Sequence, residues 1–270
     1  MRTIGLIGGL SWESTVIYYQ IINQRIRERL GGSHSANSLI WSVDYTTVED
    51  LIFADRWDEV STLLTGAGRG FCSGQELGPA VMPGQADLGA VAALHHRFVH
   101  RLREMHLPVV CAVNGVAAGA GASYALACDI VLAGRSAKFA QAFIKIGLVP
   151  DSGASFFLPR LIGEARARAL MMLGETIDAE RAAAWGMIWR MVEDAELSAE
   201  AEKLTAHLAT QPTEALAAMK RMFLASATNT LQGQLDLEQD LQQAAGRSAD
   251  YAEGVRAFME KRAPVFGARG

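Results

Sequence analysis

The first sixty-odd residues combine short apolar runs with a stretch of helical spacing. Thr3–Ile7 and Ser38–Val43 predict β-strands. Between them Ser11 can cap a helix, and apolar residues then recur at the spacing of one helix face: Val16, Tyr19, Ile22, Ile26 and Leu30. A further helix is predicted from Val48 to Leu64. Because strand and helix alternate, the pattern favours a parallel sheet.

The pattern changes from Thr65 onward. A long helix is predicted to end near Met105, with Asp87 as its N-cap. Three short apolar strands are predicted further on, at Val109–Val113, Ile130–Ala133 and Met187–Met191. We therefore expect residues 1–64 to form an α/β segment, residues 65–196 a core of strands and turns, and residues 197–270 a helical region. No Pro- or Ser-rich linker separates these parts, which argues against freely tethered domains.

Composition narrows the class of protein. Of the 270 residues, 50% are hydrophobic and 20% are charged, and the chain is long enough to bury a sizeable core. A net charge of -4 gives no general attraction to nucleic acid. The three cysteines are too few and too irregular in spacing for a disulfide framework or a zinc site. The apolar run Thr3–Leu10 is shorter than a membrane span. We expect a cytoplasmic protein without a membrane or nucleic-acid partner.

Two glycine-rich stretches carry the candidate chemistry. Gly119-Ala120-Gly121 is a small-residue turn that opens a helix, where backbone N–H groups are free to meet an anion. Some thirty residues later, Asp151 lies in a tight loop that ends at Gly153. Enolate chemistry on a thioester needs these two parts, because donors stabilise the oxyanion while a carboxylate moves a proton. Each stretch alone is also compatible with close helix packing or an ordinary turn.

Three other motifs give weaker evidence of a function. The glycines of Gly5–Gly9 lack the spacing of a dinucleotide-binding loop, so a strand-end turn is the better interpretation. His96 and His100 stand four residues apart, as zinc ligands can, but arginines interleave with them and favour a solvated basic face. We expect no metal. Gly121–Ala125 falls short of a nucleophile elbow, since Ala125 replaces the second glycine.

Residues from about Leu64 to Phe266 resemble the crotonase (enoyl-CoA hydratase/isomerase) superfamily. The resemblance rests on several motifs in the family's order: Thr65–Gly74, Pro108–Gly115, Ala127–Ile130 and Phe258–Arg262. It implies the spiral α/β core of the ClpP/crotonase fold with a C-terminal helical region that forms trimers or hexamers. The run Val149–Gly153 is similar to the phenylacetate-degradation branch, whose members isomerise a ring-epoxidised phenylacetyl-CoA to an oxepin thioester.

The resemblance also implies roles for individual residues. The oxyanion donors are the backbone N–H groups of Gln75 and Ala120, and Ser73, Gly74 and Lys261 contact the substrate. Asp151 is the carboxylate that shuttles the proton. No separate cofactor is implied, because CoA arrives as part of the substrate.

Four positions depart from patterns within the superfamily. The two glutamates with which hydratases add water fall at Ser123 and Phe143, neither of which can act as a base. Isomerisation is therefore favoured over hydration. Glu76 stands where an aspartate is usual and Ala154 where a second glycine is usual, and both lie near the expected site.

The first 64 residues are similar to a different family. Ile4–Thr15 and Arg29–Ala36 resemble the start of the aspartate/glutamate racemases. Those enzymes use two cysteines as paired acid and base, and Cys72 does not match their first cysteine motif. The chain thus looks like a fusion joined near Leu63–Gly66. We expect an acyl-CoA isomerase of the 1,2-epoxyphenylacetyl-CoA isomerase type. The alternatives are a hydratase-like enzyme, a non-catalytic acyl-CoA-binding protein and, last, an aspartate racemase.

Overall fold

A six-stranded sheet runs through the part of the chain that the computed structural model describes, which is residues 4–7, 38–41, 62–66, 70–75, 84 and 87–267. The strands are β1 Ile4–Ile7, β2 Ser38–Trp41, β3 Thr62–Gly66, β5 Val109–Val113, β7 Ile130–Gly134 and β10 Arg190–Val192. Their order in the sheet is β10-β7-β5-β3-β1-β2, and every neighbouring pair is parallel. β5 lies at the centre and all five of its residues are buried, as expected for a parallel strand covered on both faces.

A second, four-stranded sheet stands beside the first and positions the site. The strands are β4 Gly70–Cys72, β6 Val116–Ala118, β8 Lys138–Ala140 and β9 Thr176–Asp178. Their order in the sheet is β4-β6-β8-β9, with β8 and β9 antiparallel and the other pairs parallel. The chain passes from β5 in the first sheet to β6 in the second within Asn114-Gly115. Asn114 joins the two sheets, since its side chain accepts from the Gly66 N–H at 3.1 Å and donates to the Gly70 carbonyl at 3.4 Å.

Helices cover the sheets and fill the C-terminal part of the chain. They are α1 Leu88–Glu104, α2 Ala120–Ala127, α3 Ala154–Ile162, α4 Glu164–Leu173, α5 Ala179–Ala184, α6 Leu197–Leu208, α7 Thr213–Ser226, α8 Leu231–Ala245 and α9 Ala249–Glu260. Every residue of α2 is buried, which is why that helix consists of small and apolar residues around one tyrosine. In the described part of the chain, no helix is both long and apolar enough to cross a membrane.

Most of the expected elements are present, with two corrections. The helix predicted for Val48 to Leu64 is wrong at its end, because Thr62–Gly66 is β3; residues 48–61 lie outside the described part. Leu64 is buried in the sheet between β1 and β5, and this tertiary pairing overrides the local pattern. The strand predicted at Met187–Met191 instead spans Arg190–Val192. The helix expected between the first two strands also lies outside the described residues.

The first two strands belong to the same sheet as the core. β1 pairs with β3, which pairs in turn with β5. The predicted boundary between residues 64 and 65 falls inside β3, so residues on both sides of it share one sheet. The division of the chain into three parts stays a prediction.

A buried lysine attaches the C-terminal helices to the core. Lys220 of α7 donates to the carbonyls of Leu102 and Leu107 at 3.1 and 2.9 Å, and its Nζ lies 2.7 Å from Asp129 Oδ2. The same Asp129 oxygen accepts the Val109 N–H at 2.8 Å. All three donors of the ammonium group are therefore used, and α7 is fixed against the end of α1 and the segment that leads from it to β5.

Candidate active site

The N-terminus of α2 forms one half of the site. Gly119 has φ 55° and precedes the helix; its N–H donates to the Ala140 carbonyl at 2.9 Å. Its carbonyl accepts from Ala122 and Ser123 at 3.1 and 3.2 Å. Ala120 is the first residue of the helix, so its N–H has no acceptor within the helix. A residue with a side chain is strained at such a φ, which explains the glycine at 119.

The loop after β4 packs directly against this turn. A Cβ placed on Gly74, which has φ 88°, would lie 3.0 Å from the Ala118 carbonyl oxygen and 3.4 Å from the Ala120 nitrogen. Residue 74 therefore comes close to the start of α2 only as glycine. Gly74 thus lies beside Ala120. Gln75 follows Gly74 in the chain, and Gln75 and Ala120 are the two positions at which the resemblance implies oxyanion donors. Ser73, in the same loop, is exposed.

Asp151 lies in a turn just before α3. Ser152 and Gly153 have φ of 52° and 82°, and this left-handed pair reverses the chain immediately after the carboxylate. Ser152 is buried, and its hydroxyl donates to Asp151 Oδ1 at 2.9 Å. The Asp151 carbonyl accepts from Ala154, the first residue of α3. The carboxylate is thus held on one side by a hydroxyl while its residue remains partly exposed.

Ser123 connects the donor turn with the aspartate turn. Its buried Oγ lies 3.3 Å from the Gly119 carbonyl and 3.4 Å from that of Asp151. Phe143 borders the donor turn, since its ring would lie 3.6 Å from a Cβ at Gly119. At the two positions where hydratases carry glutamates, this chain therefore presents a hydroxyl and an aromatic ring. Among these residues around the donor turn, Asp151 contributes the carboxylate.

Sequence reasoning missed His95. The side chain is only 5% exposed, and its ring bonds through Nδ1 to the Tyr124 hydroxyl and through Nε2 to Gln75 Oε1 at 3.1 Å. Burial lowers the pKa of His95, while the nearby Asp151 carboxylate acts in the opposite direction. Helical spacing indicates that His95 is buried, because His95, Phe98 and Leu102 recur on one face of α1, and that face is buried. His96 and His100, the two histidines with zinc-ligand spacing, are exposed instead.

The remaining predicted positions are less closely tied to this site. Lys261 is exposed at the end of α9, and among the described residues no hydrogen bond or ion pair connects its side chain with the donor turn. Its role in substrate binding stays a prediction. Ala154, where a glycine was expected, is fully buried as the first residue of α3. Glu76 lies outside the described residues.

Together these residues define a class of site. Two neighbouring backbone segments carry the two expected N–H donors, and Ser123 links one of these segments to the turn that carries the Asp151 carboxylate. Such an arrangement suits the stabilisation of an enolate and the transfer of one proton.

Comparison with known proteins places the chain in a family. Residues 56–269 match the family model described as enoyl-CoA hydratase/isomerase. The protein therefore belongs to the enoyl-CoA hydratase/isomerase family, the crotonase superfamily. It is 54% identical over 213 residues to 1,2-epoxyphenylacetyl-CoA isomerase of Escherichia coli K12, covering 76% of this chain and 79% of the relative. It is 46% identical over 217 residues to a probable enoyl-CoA hydratase of Rhodobacter capsulatus, covering 79% and 83%.

A solved structure supports the same fold. The crystal structure of an enoyl-CoA hydratase from Polaromonas sp. JS666 superposes with a TM-score of 0.73 at 34% identity, covering 76% of this chain and 81% of that one. The crotonase-like α/β core with a helical C-terminal region is thereby confirmed. The racemase-like character of the first 64 residues stays a prediction; most of that segment lies before the family match.

Proposed function

We propose that the protein is an acyl-CoA isomerase acting on an aromatic-ring-derived thioester, of the kind handled by its 1,2-epoxyphenylacetyl-CoA isomerase relative. One observation carries the proposal. Ser123, in the helix that Ala120 begins, contacts the turn that carries Asp151. By the resemblance, Ser123 and Phe143 occupy the positions where hydratases carry glutamates. One carboxylate suffices for moving a proton from one carbon to another, whereas hydratases use two to activate and add water.

The proposed reaction uses these residues in turn. The N–H groups of Gln75 and Ala120 bind the thioester oxygen, and Asp151 removes a proton from the carbon between the carbonyl and the ring. The negative charge then rests on the oxygen that the two donors hold. The epoxide-bearing ring expands to the seven-membered oxepin, and Asp151 returns the proton to a ring carbon. No atom is gained or lost, and the reaction needs no oxidant, metal or separate cofactor.

A panel of three thioesters tests this proposal against hydration. The purified protein is given 1,2-epoxyphenylacetyl-CoA, a 3-enoyl-CoA and crotonyl-CoA, and products are separated chromatographically. We expect isomerisation of the first two, with hydration of crotonyl-CoA at least about 10²-fold slower, since the water-activating carboxylates are absent. Faster hydration would favour the hydratase alternative. Binding of all three without turnover would favour a non-catalytic acyl-CoA-binding protein. A separate assay with aspartate tests the last alternative, and racemisation there would favour an aspartate racemase.

We also propose that the protein assembles as a trimer or hexamer through its C-terminal helices. Large apolar side chains on these helices are exposed in the single chain, including Phe223 at 72% and Phe258 at 81%. Met219 and Phe223 stand four residues apart on α7, and a neighbouring subunit would bury them. Light scattering should give a mass three or six times the 29.0 kDa of the chain. A stable folded monomer would contradict the proposal.

A further inference from the structure

A buried histidine contacts both segments that carry the donors. His95 of α1 bonds to the side chain of Gln75, in the loop after β4, and to the hydroxyl of Tyr124, which belongs to the same helix as Ala120. The ring therefore bridges them from the side of α1.

The bonding pattern defines one neutral form of the ring. Gln75 Oε1 can only accept, so Nε2 of His95 carries the hydrogen. Nδ1 then has a lone pair and accepts from the Tyr124 hydroxyl. Both nitrogens are used without a charge, which suits a ring that is almost completely buried.

Packing keeps the ring from turning away from these partners. Tyr124 is itself buried and meets Phe98 edge to face, with ring centroids 4.9 Å apart. Phe98 lies one turn after His95 on α1, so the helix holds both contacts together. Tyr124 is thus fixed by an aromatic neighbour on the same helix as the histidine.

The bonds of His95 affect the thioester oxygen indirectly, through the backbone positions of the two donors. Gly74 packs against Ala118 and Ala120, so its contacts limit how near the two donor segments come. The Gln75 side chain, held by His95, limits how far residue 75 can move away. We infer that His95 is a positioning residue that sets the separation of the Gln75 and Ala120 donors. This inference rests on the proposed function of the two N–H groups.

A readout independent of turnover tests the inference. Phenylacetyl-CoA labelled with ¹³C at the carbonyl is bound to the protein, and the downfield shift of the carbonyl resonance reports how strongly the donors polarise it. The wild-type protein should shift the carbonyl resonance downfield. Gln75→Ala, which keeps the backbone N–H and loses only the tether, and His95→Leu should each lose a large part of the shift. His100→Gln, an exposed change on the same helix, should leave it intact.

Turnover of the epoxide substrate is measured on the same proteins. His95→Leu and Gln75→Ala should lower kcat about 10–10²-fold with little change in KM, as expected when donors are misplaced by a fraction of an ångström to one ångström. The double variant should be no slower than the slower single variant, because both break one connection. His95→Gln, which can still donate to Gln75, should recover part of the loss.

The outcomes separate the inference from the function on which it rests. Full carbonyl shift and full kcat per folded molecule in both single variants would overturn the positioning role of His95. An unshifted carbonyl in bound wild type would overturn the donor pair and the inference with it. A shifted carbonyl without isomerisation in wild type would contradict the proposed function, while the shifts of the variants would still decide the role of His95.

Discussion

Replacing Gly121 by alanine should separate the two donor segments without removing any polar group. Gly121 is the second residue of α2, and its Cα faces Cys72, the last residue of β4. A Cβ there would lie 2.7 Å from the Cβ and 2.8 Å from the carbonyl carbon of Cys72, and still closer to its oxygen. Ordinary contacts of this kind measure 3.4–4 Å. The obstacle is backbone, so the segments must part by roughly 1 Å rather than rotate a side chain aside.

The expected loss of activity follows from that displacement of the two segments. A misplacement of about 1 Å can cost about 10²-fold in rate, and complete loss of one oxyanion donor costs about 10²–10³-fold. We therefore expect Gly121→Ala to lower kcat by about 10²-fold. Overpacking should cost about 1–3 kcal/mol of stability, reduced by about 1 kcal/mol because alanine is the better helix former.

The assay compares kcat per folded molecule with that of a matched glycine. Gly233→Ala, in the half-buried first turn of α8, places its Cβ 3.5 Å from the nearest neighbouring atom, the Thr230 hydroxyl oxygen. That control should keep full activity and be as stable as wild type or slightly more so. If the Gly121→Ala variant folds and retains the wild-type kcat, the close approach of the two segments is not the source of catalysis.

Two further predictions concern stability. Lys220→Met leaves the Asp129 carboxylate without its buried partner and should lower the free energy of unfolding by about 3 kcal/mol. Lys203→Met, on the exposed face of α6, is the control and should change that free energy little. Equal urea midpoints for the two variants would contradict the role of Lys220. Burial lowers the pKa of His95 below its ordinary value of 6.5, with Asp151 opposing and His96 adding to the shift. The unfolded chain therefore takes up the proton first, and stability falls as pH drops below about 6.5 towards the lowered pKa. His95→Gln should show a shallower fall, by at most about 1.4 kcal/mol per pH unit, and identical slopes would contradict the neutral ring.

Local pattern was enough to predict much of the core. The cap at Asp87, the buried strand Val109–Val113 and the helix that opens after Gly119 all follow from spacing and turn chemistry, and the structure has each of them. The helix prediction fails over Thr62–Leu64 because the strand character of these residues depends on pairing with β1 and β5, which are distant in sequence. Pairing of this kind is not visible in a window of neighbouring residues.

The candidate site was predictable only in part. Asp151 and the turn around Ala120 stand out because glycines mark the turns that hold them. His95 does not, since a histidine on a helix face is as easily a surface residue, and its partners Gln75 and Tyr124 lie 20 and 29 residues away. The link from Ser123 to the Asp151 carbonyl likewise depends on how α2 packs against α3.

The role of Asp151 is the centre of this account, and Asp151→Asn tests it most directly. The change keeps shape and the bond from Ser152 but removes basicity. Turnover of 1,2-epoxyphenylacetyl-CoA per folded molecule should fall about 10²–10⁴-fold, with binding much less affected because the two backbone donors remain. Asp240→Asn, an exposed position on α8, serves as the matched control and should keep full turnover. Unchanged turnover in folded Asp151→Asn would mean that Asp151 only shapes its turn, and the proposed mechanism would be wrong.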